Sequence, residues 1–224
     1  MIDYKLEKWI WTEQDFQNMG WHDATVYGFK MHENLEFDLD YIFKWNEPEV
    51  EGFFFTFWVA PCTLVFERPA NLSFELTQSL GEWLEIEDIE LKLGEDSRHW
   101  TIITHQGEIS FEANSFRQFV RMKPSFQLEQ VVPYDERNGF SFDQRSGESI
   151  APNARPEIEQ RRKKKLEDYE LAKRRFILSK ELEKLNDGRA DGQIDTKSYS
   201  SEKRKLKEQI DSLNFYLRGS RYEK

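Results

Sequence analysis

Leu35-Glu36-Phe37-Asp38-Leu39-Asp40-Tyr41-Ile42-Phe43-Lys44-Trp45 carries an apolar or aromatic residue at every odd position and a charge at most even ones. Side chains of a strand alternate between its two faces, so this period of two predicts a strand with one face on a core and one in water. Asp38 and Asp40 fall on the charged face, about 7 Å apart along the strand. Tyr41 and Trp45 fall with the apolar set and are expected to pack in the core.

Working outward, Asn46-Glu47-Pro48 breaks this strand. Gly52 then opens Phe53-Phe54-Phe55-Thr56-Phe57-Trp58-Val59, which is apolar on both faces and predicts a central strand covered on each side. Pro61 is expected to interrupt it at a bulge or bend before Cys62-Thr63-Leu64-Val65-Phe66. Further strands are read at Leu72 to Leu76, around Trp83 to Leu93, at Trp100 to Thr104, and at Glu108 to Glu112 after a Gln106-Gly107 turn. Upstream, Thr12-Glu13-Gln14-Asp15 reads as an N-cap with an acidic first turn, opening a short helix that Gly20 ends. Phe116 to Arg121 fits a strand or a short helix, and helix is the reading adopted. The fold class expected is α+β: a mainly antiparallel sheet, as a sandwich or open barrel, followed by a C-terminal antiparallel helical hairpin.

Composition divides the chain of 224 residues. All seven Trp lie in the first 100 residues, and residues 1–150 hold 12 Lys+Arg against 28 Asp+Glu, a net of −16. The remaining 20 basic and 14 acidic residues give the tail +6. Pro133, Gly139, Gly147, Pro152 and Pro156 mark a linker or extended surface arm, which Phe140 and Phe142 pin to the core. Beyond it, Leu166, Tyr169, Lys173, Phe176, Ile177 and Lys180, continued by Leu182 and Leu185, keep a helical stripe. Asn186-Asp187-Gly188 is read as its end and Gly192 as a second stop. Ser198 or Ser200 is expected to cap a second helix with a stripe of Tyr199, Leu206, Ile210, Leu213 and Leu217. The domains expected are an acidic aromatic β domain over 1–132, an arm over 133–156 and a hairpin over 157–224. The start of the chain has no apolar leader region and no apolar run reaches the ~20 residues of a membrane helix, so a soluble cytoplasmic protein with no membrane partner is expected. Cys62, the single cysteine, reads as small core filler.

Two stretches carry resemblances. Trp21-His22-Asp23, Leu39-Asp40-Tyr41-Ile42 with Trp45, Phe57-Trp58-Val59-Ala60-Pro61 and Thr63-Leu64-Val65-Phe66 together resemble an uncharacterised family of small bacterial proteins, over roughly residues 20–120. That likeness implies a cytosolic bacterial β-rich domain without an assigned activity. Leu182-Glu183-Lys184-Leu185, Gly192-Gln193-Ile194-Asp195, Tyr199 and Glu202-Lys203-Arg204-Lys205-Leu206 are similar to the SHOCT motif, a short C-terminal helical pair that implies oligomerisation. The loop here is longer than the motif's by a couple of residues, at Arg189-Ala190-Asp191.

Few residues offer chemistry. His22-Asp23 pairs an imidazole with a carboxylate, an arrangement that serves proton transfer or metal binding, or simply stabilises a turn. His32, His99 and His105 are the remaining histidines, all in strand-like surroundings. Asp38 and Asp40 could form a hydrolytic acid-base pair or bind a divalent cation, against the plainer reading of a solvated strand face whose charges discourage edge pairing. Glu85, Glu87, Asp88 and Glu90 make an acidic strip suited to solubility or to a basic partner. No nucleophile elbow, phosphate loop, dinucleotide fingerprint or His-Glu-x-x-His helix occurs, so no cofactor and no metal are expected.

The functional expectation is a non-enzymatic protein-interaction module. Its acidic β domain binds a protein partner through Glu85, Glu87, Asp88 and Glu90. Its hairpin, through Leu182, Leu185, Ile194, Tyr199, Leu206, Ile210 and Leu213, makes a homo-oligomer or docks on another chain. Small acidic proteins of this build include immunity proteins, so a defence-associated role is the sharpest version. Two alternatives stand beside it: a hydrolase or metal-dependent enzyme using His22, Asp23, Asp38 and Asp40, and nucleic-acid binding through the basic helix 157–180. In that helix Glu167, Asp168 and Glu170 dilute Arg161-Arg162-Lys163-Lys164-Lys165, which disfavours the nucleic-acid reading.

Overall fold

The alternating stretch around Asp38 becomes the middle of one antiparallel sheet. A computed structural model describes residues 4–77, 83–94, 97–149 and 155–223; Pro152 of the expected arm and the first three residues lie outside them. The strands are β1 (Ile10–Thr12), β2 (Ala24–Met31), β3 (Asn34–Asn46), β4 (Thr56–Glu67), β5 (Ala70–Leu76), β6 (Leu84–Leu93), β7 (Arg98–Thr104), β8 (Gly107–Glu112), β9 (Phe116–Val120) and β10 (Ser125–Gln127). They pair in the order β1-β9-β4-β3-β2-β6-β7-β8-β5, with β10 also on β4. Two helices follow, α1 (Pro156–Ala190) and α2 (Thr196–Tyr216). The α+β class expected from the sequence is the one observed. No helix among the described residues is long and apolar enough to cross a membrane.

The apolar face of β3 dictates the shape. Leu35, Phe37 and Leu39 are fully buried with Leu64 and Phe66 of β4. Phe66 meets Trp100 of β7 at a ring separation of 5.2 Å and Phe111 of β8 at 4.7 Å. β3, β2 and β6 lie between β4 and β7 in the sheet, so these contacts require the sheet to curl until distant parts of one face meet. A 3₁₀ helix, Glu13–Asn18, sets Phe16 edge-on against Trp100 at 5.4 Å. Buried Gln118 accepts a hydrogen bond from the Trp21 indole at 2.9 Å, which removes the cost of a bare amide oxygen in the core.

Several expectations are corrected. Phe116–Val120 is a strand, not a helix, because β9 fills the ladder between β1 and β4. Pro61 does not break its strand: β4 runs through it in register with Asp40, and the irregularity falls on β3 between Ile42 and Lys44. The Pro61 carbonyl accepts from Arg121 N, so its edge without an N–H points where β4 passes from its pairing with β10 to its pairing with β9. The strand expected from Phe53 starts only at Thr56. Trp45 is not core; it is partly exposed and stacks on the His22 ring, centroids 6.0 Å apart. The largest correction concerns the wet face of β3: Glu36 is buried, and Asp38 and Asp40 have no exposure at all.

The chain divides into two compact units, Met1–Glu47 with Phe55–Pro152, and Pro48–Phe54 with Asn153–Lys224. Within the second, Phe53 packs its ring 5.3 Å from both Tyr169 and Phe176, and the Tyr169 hydroxyl donates to the Phe54 carbonyl at 3.3 Å. α1 does not stop at Asn186-Asp187-Gly188 but continues to Ala190, and the chain reverses at Gly192 with φ +74°. Gly188 serves packing instead: a Cβ there would sit 3.0 Å from Ile194 Cδ1. Asp195, not Ser198 or Ser200, caps α2; its carboxylate accepts from the Lys197 and Ser198 amides at 2.9 and 3.1 Å. Leu206 and Ile210 share the face of Leu213 and Leu217, which are buried, as is Leu185 on α1. Because Phe66 joins strands far apart in the sheet, Phe66→Ala should cost about 3–5 kcal/mol in urea unfolding; a loss below 1 kcal/mol would mean the curl does not depend on it.

Candidate functional site

The face of β3 opposite the core is covered by residues 130–143, which run from the end of the expected β domain into the arm expected from 133. A carboxylate buried without exposure needs a counter-charge and enough donors. Asp38 accepts from Arg121 Nη2, from Arg137 Nη2 at 2.7 Å and Nη1 at 3.1 Å, and from the Ser141 amide at 2.9 Å. Asp40 accepts from Arg137 Nε at 3.2 Å, the Tyr27 hydroxyl at 2.9 Å and the Val132 amide at 2.7 Å. The Arg137 guanidinium also lies 4.0 Å from the centre of the Tyr27 ring. Two carboxylates and two guanidiniums balance in charge, and every group facing Asp40 is a donor.

Further bonds continue the cover at both ends. The Thr63 hydroxyl donates to the Asp143 carbonyl at 2.7 Å, and Gln130 Nε2 donates to Asp23 Oδ2 at 2.6 Å. Ile42, Phe57, Val59 and Val132 form a small apolar cluster beside the ions. Burial raises the Asp40 carboxyl above its ordinary value, with the Arg137 charge and the Val132 amide acting the other way. Asp38 and Asp40 are thus brought together, but as a sealed ionic anchor rather than a solvated face or a pair open to a substrate.

His22 and Asp23 lie elsewhere, at the turn before β2. His22 is exposed, its Nε2 is 3.6 Å from Asp23 Oδ1, and its Nδ1 is 3.3 Å from the Glu87 carbonyl. Asp23 adopts φ +61° and sits beside Glu85 and His105, the three offering ligand atoms within 4.8 Å of one another. The expected neighbour His22 is beside Asp23, whereas Asp38 and Asp40 bond to the cover instead; only the β6–β7 register brings Glu85 to His105, whose amide donates to the Glu85 carbonyl at 3.0 Å.

The acidic strip lies on β6, and its neighbours extend it. Residues directly opposite one another in a sheet share a face. One row runs Asp88, Ile103, Glu108, Glu75; the next runs Glu90, Thr101, Ser110, Ser73; a third runs Lys92, His99, Glu112, Ala70. Glu108 and Glu75 stand opposite each other as like charges, and Lys92, the one lysine or arginine of these rows, is 3.5 Å from Glu90. Trp100, Ile102, Ile109 and Phe111 occupy the other, buried face. In the helical unit, Lys163 and Lys164 pair with Glu167 and Asp168 one turn on, and Lys173 with Glu49 and Glu170.

No protein-family model and no curated protein matches the chain. A solved structure of an uncharacterized protein from Neisseria gonorrhoeae is similar at 13% identity, covering 49% of this chain and 95% of that one, with a TM-score of 0.29. A likeness that slight carries no argument.

Two outcomes test this account of the buried face. Arg137→Ala leaves two buried carboxylates with one guanidinium and should cost about 3–5 kcal/mol, whereas Arg145→Ala, removing an exposed partner of Asp143, should leave the unfolding midpoint almost unchanged. Equal losses in denaturant titrations would refute the anchor. Burial pushes the Tyr41 phenol to about 12 and raises the Tyr27 phenol and the Cys62 thiol as well. Groups raised on folding contribute stability that is complete below their unfolded pKa and is lost as pH climbs through the folded one. The urea midpoint should therefore hold up to about pH 9 and fall steeply towards pH 12; a flat midpoint across that range would contradict the burial of these groups.

Proposed function

We propose that the protein is a non-enzymatic interaction module whose open sheet face binds a basic protein surface. The observation that carries this reading is the set of rows across β6, β7, β8 and β5, where Asp88, Glu90, Glu108, Glu112 and Glu75 share one solvated face with a single lysine. Like charges directly opposite cost stability, and Glu75 with Glu108 is such a pair, which a cationic partner would relieve. Complementary charge of this kind steers association and sets its salt dependence more than it adds affinity.

The hairpin is the assembly element in this reading. Leu166 and Ile177 of α1 and Phe215 and Tyr216 of α2 are exposed on an otherwise charged surface. The likeness to the SHOCT motif supports association of copies through it, and a defence-associated role remains the narrower form of the proposal. The hydrolase alternative draws no support from Asp38 and Asp40, which are buried without exposure and held by guanidinium, hydroxyl and amide donors. The paired lysines of α1 likewise give the nucleic-acid alternative little to stand on.

Capture from the native host should recover a partner with a basic surface, and the complex should weaken as salt is raised from 50 to about 500 mM. Reversing Glu75, Glu108 and Glu112 to Lys should abolish capture while circular dichroism stays unchanged. Reversal of Glu13 and Glu47, away from this face, should leave it intact. Equal capture by both variants would place the partner elsewhere. A monomer by light scattering at all concentrations would remove the assembly role of the hairpin.

A further inference from the structure

Asp23, Glu85 and His105 come from three separated segments: the turn before β2, the start of β6, and the tight turn between β7 and β8. Main-chain bonds lock those segments together, since Asp23 N donates to the Ile86 carbonyl at 2.8 Å and His105 N to the Glu85 carbonyl at 3.0 Å. One imidazole nitrogen and two carboxylate oxygens are thereby held within 4.8 Å of one another, with His105 Nδ1 3.8 Å from Glu85 Oε2. Asp38 and Asp40 meet guanidiniums, which are permanently charged. Asp23 and Glu85 instead meet imidazoles, which when neutral add a donor rather than a counter-charge.

We propose that Asp23, Glu85 and His105 form a binding site for a divalent transition cation of the Zn²⁺ type. A zinc ion sits about 2.0–2.2 Å from nitrogen and oxygen ligands, so ligand atoms around it lie roughly 3.3–3.6 Å apart. Movements of about 1 Å at the exposed His105 ring and the half-exposed Glu85 side chain close the difference. Gln130 Nε2, 2.6 Å from Asp23 Oδ2, is an outer-sphere donor that fixes the orientation of this carboxylate. His22 Nε2 lies 3.6 Å from Asp23 Oδ1 but outside the group of mutually close ligand atoms, which leaves the fourth position to water. An imidazole with two carboxylates selects zinc or manganese over magnesium and calcium, which prefer all-oxygen shells. The site lies beside the first residue of the cover, so an ion there ties the turn before β2 to the β7–β8 turn.

Calorimetric titration of the full-length protein with ZnCl₂ in chelator-free buffer should show one equivalent bound, with MgCl₂ at the same concentration failing to displace it. His105→Ala should weaken binding by about tenfold or more, and Gln130→Leu, which removes no ligand, by about tenfold. Asp23→Asn suits the left-handed backbone at that position and should weaken binding without lowering the metal-free melting temperature. Should His105→Ala fold poorly, Glu85→Gln provides the same readout. Co²⁺ loading should give visible absorption bands that disappear in these variants. The proposal is overturned by wild-type affinity in His105→Ala or Glu85→Gln, by absence of stoichiometric Zn²⁺ binding, or by equal binding of Mg²⁺.

Discussion

The buried ionic cluster of Asp38 and Asp40 with Arg121 and Arg137 is the constraint on which the sheet unit depends. Charges without exposure are tolerable only when each is paired and its remaining lone pairs are met. Here the donors come from both ends of the chain's β region: Tyr27 from β2, Arg121 just beyond β9, and Val132, Arg137 and Ser141 from the segment laid over the face. A segment with almost no regular structure is thereby tied to the turn before β2, to β3 and to β4 by side-chain and main-chain hydrogen bonds. Its path is set by where the carboxylates are.

Carboxylates on one side of the sheet are treated in two ways. Over β3 and its neighbours they are neutralised by arginine and covered. Over β6 to β5 they are left in water with one lysine, and the accumulated negative charge there is what the proposed partner would recognise. The Asp23, Glu85 and His105 cluster sits between these regions, since Thr25 pairs with Asp40 on one side and Glu85 on the other. Polar chemistry on this protein is therefore distributed along a single sheet face rather than gathered in a cavity.

Much of the fold was legible because its signals are local. The alternation over Leu35–Trp45, the Gln106-Gly107 turn and the Pro156 start of α1 each report on neighbours a few residues away. What was hidden depends on distant partners. Alternation shows that Asp38 and Asp40 share a face, but whether that face is wet is decided by Arg137, nearly a hundred residues later. The polar residue Gln118 disguised β9, since only the Trp21 indole explains an amide at an inward position. The rule that proline ends a central strand failed at Pro61 because β4 changes neighbours at that point. His105 looked like one more strand histidine, and no pattern in the sequence sets it against Glu85 and Asp23.

Native-state hydrogen exchange at the Val132 and Ser141 amides tests the central claim most directly, because these N–H groups donate to the buried carboxylates from a segment outside regular structure. If the ionic cluster makes the cover part of the core, both amides should exchange only through global unfolding, with the same free energy as amides of β3 and β4. Exchange at the rate of a solvent-exposed loop, with β3 and β4 still protected, would show that the cover opens independently and that the cluster does not hold it.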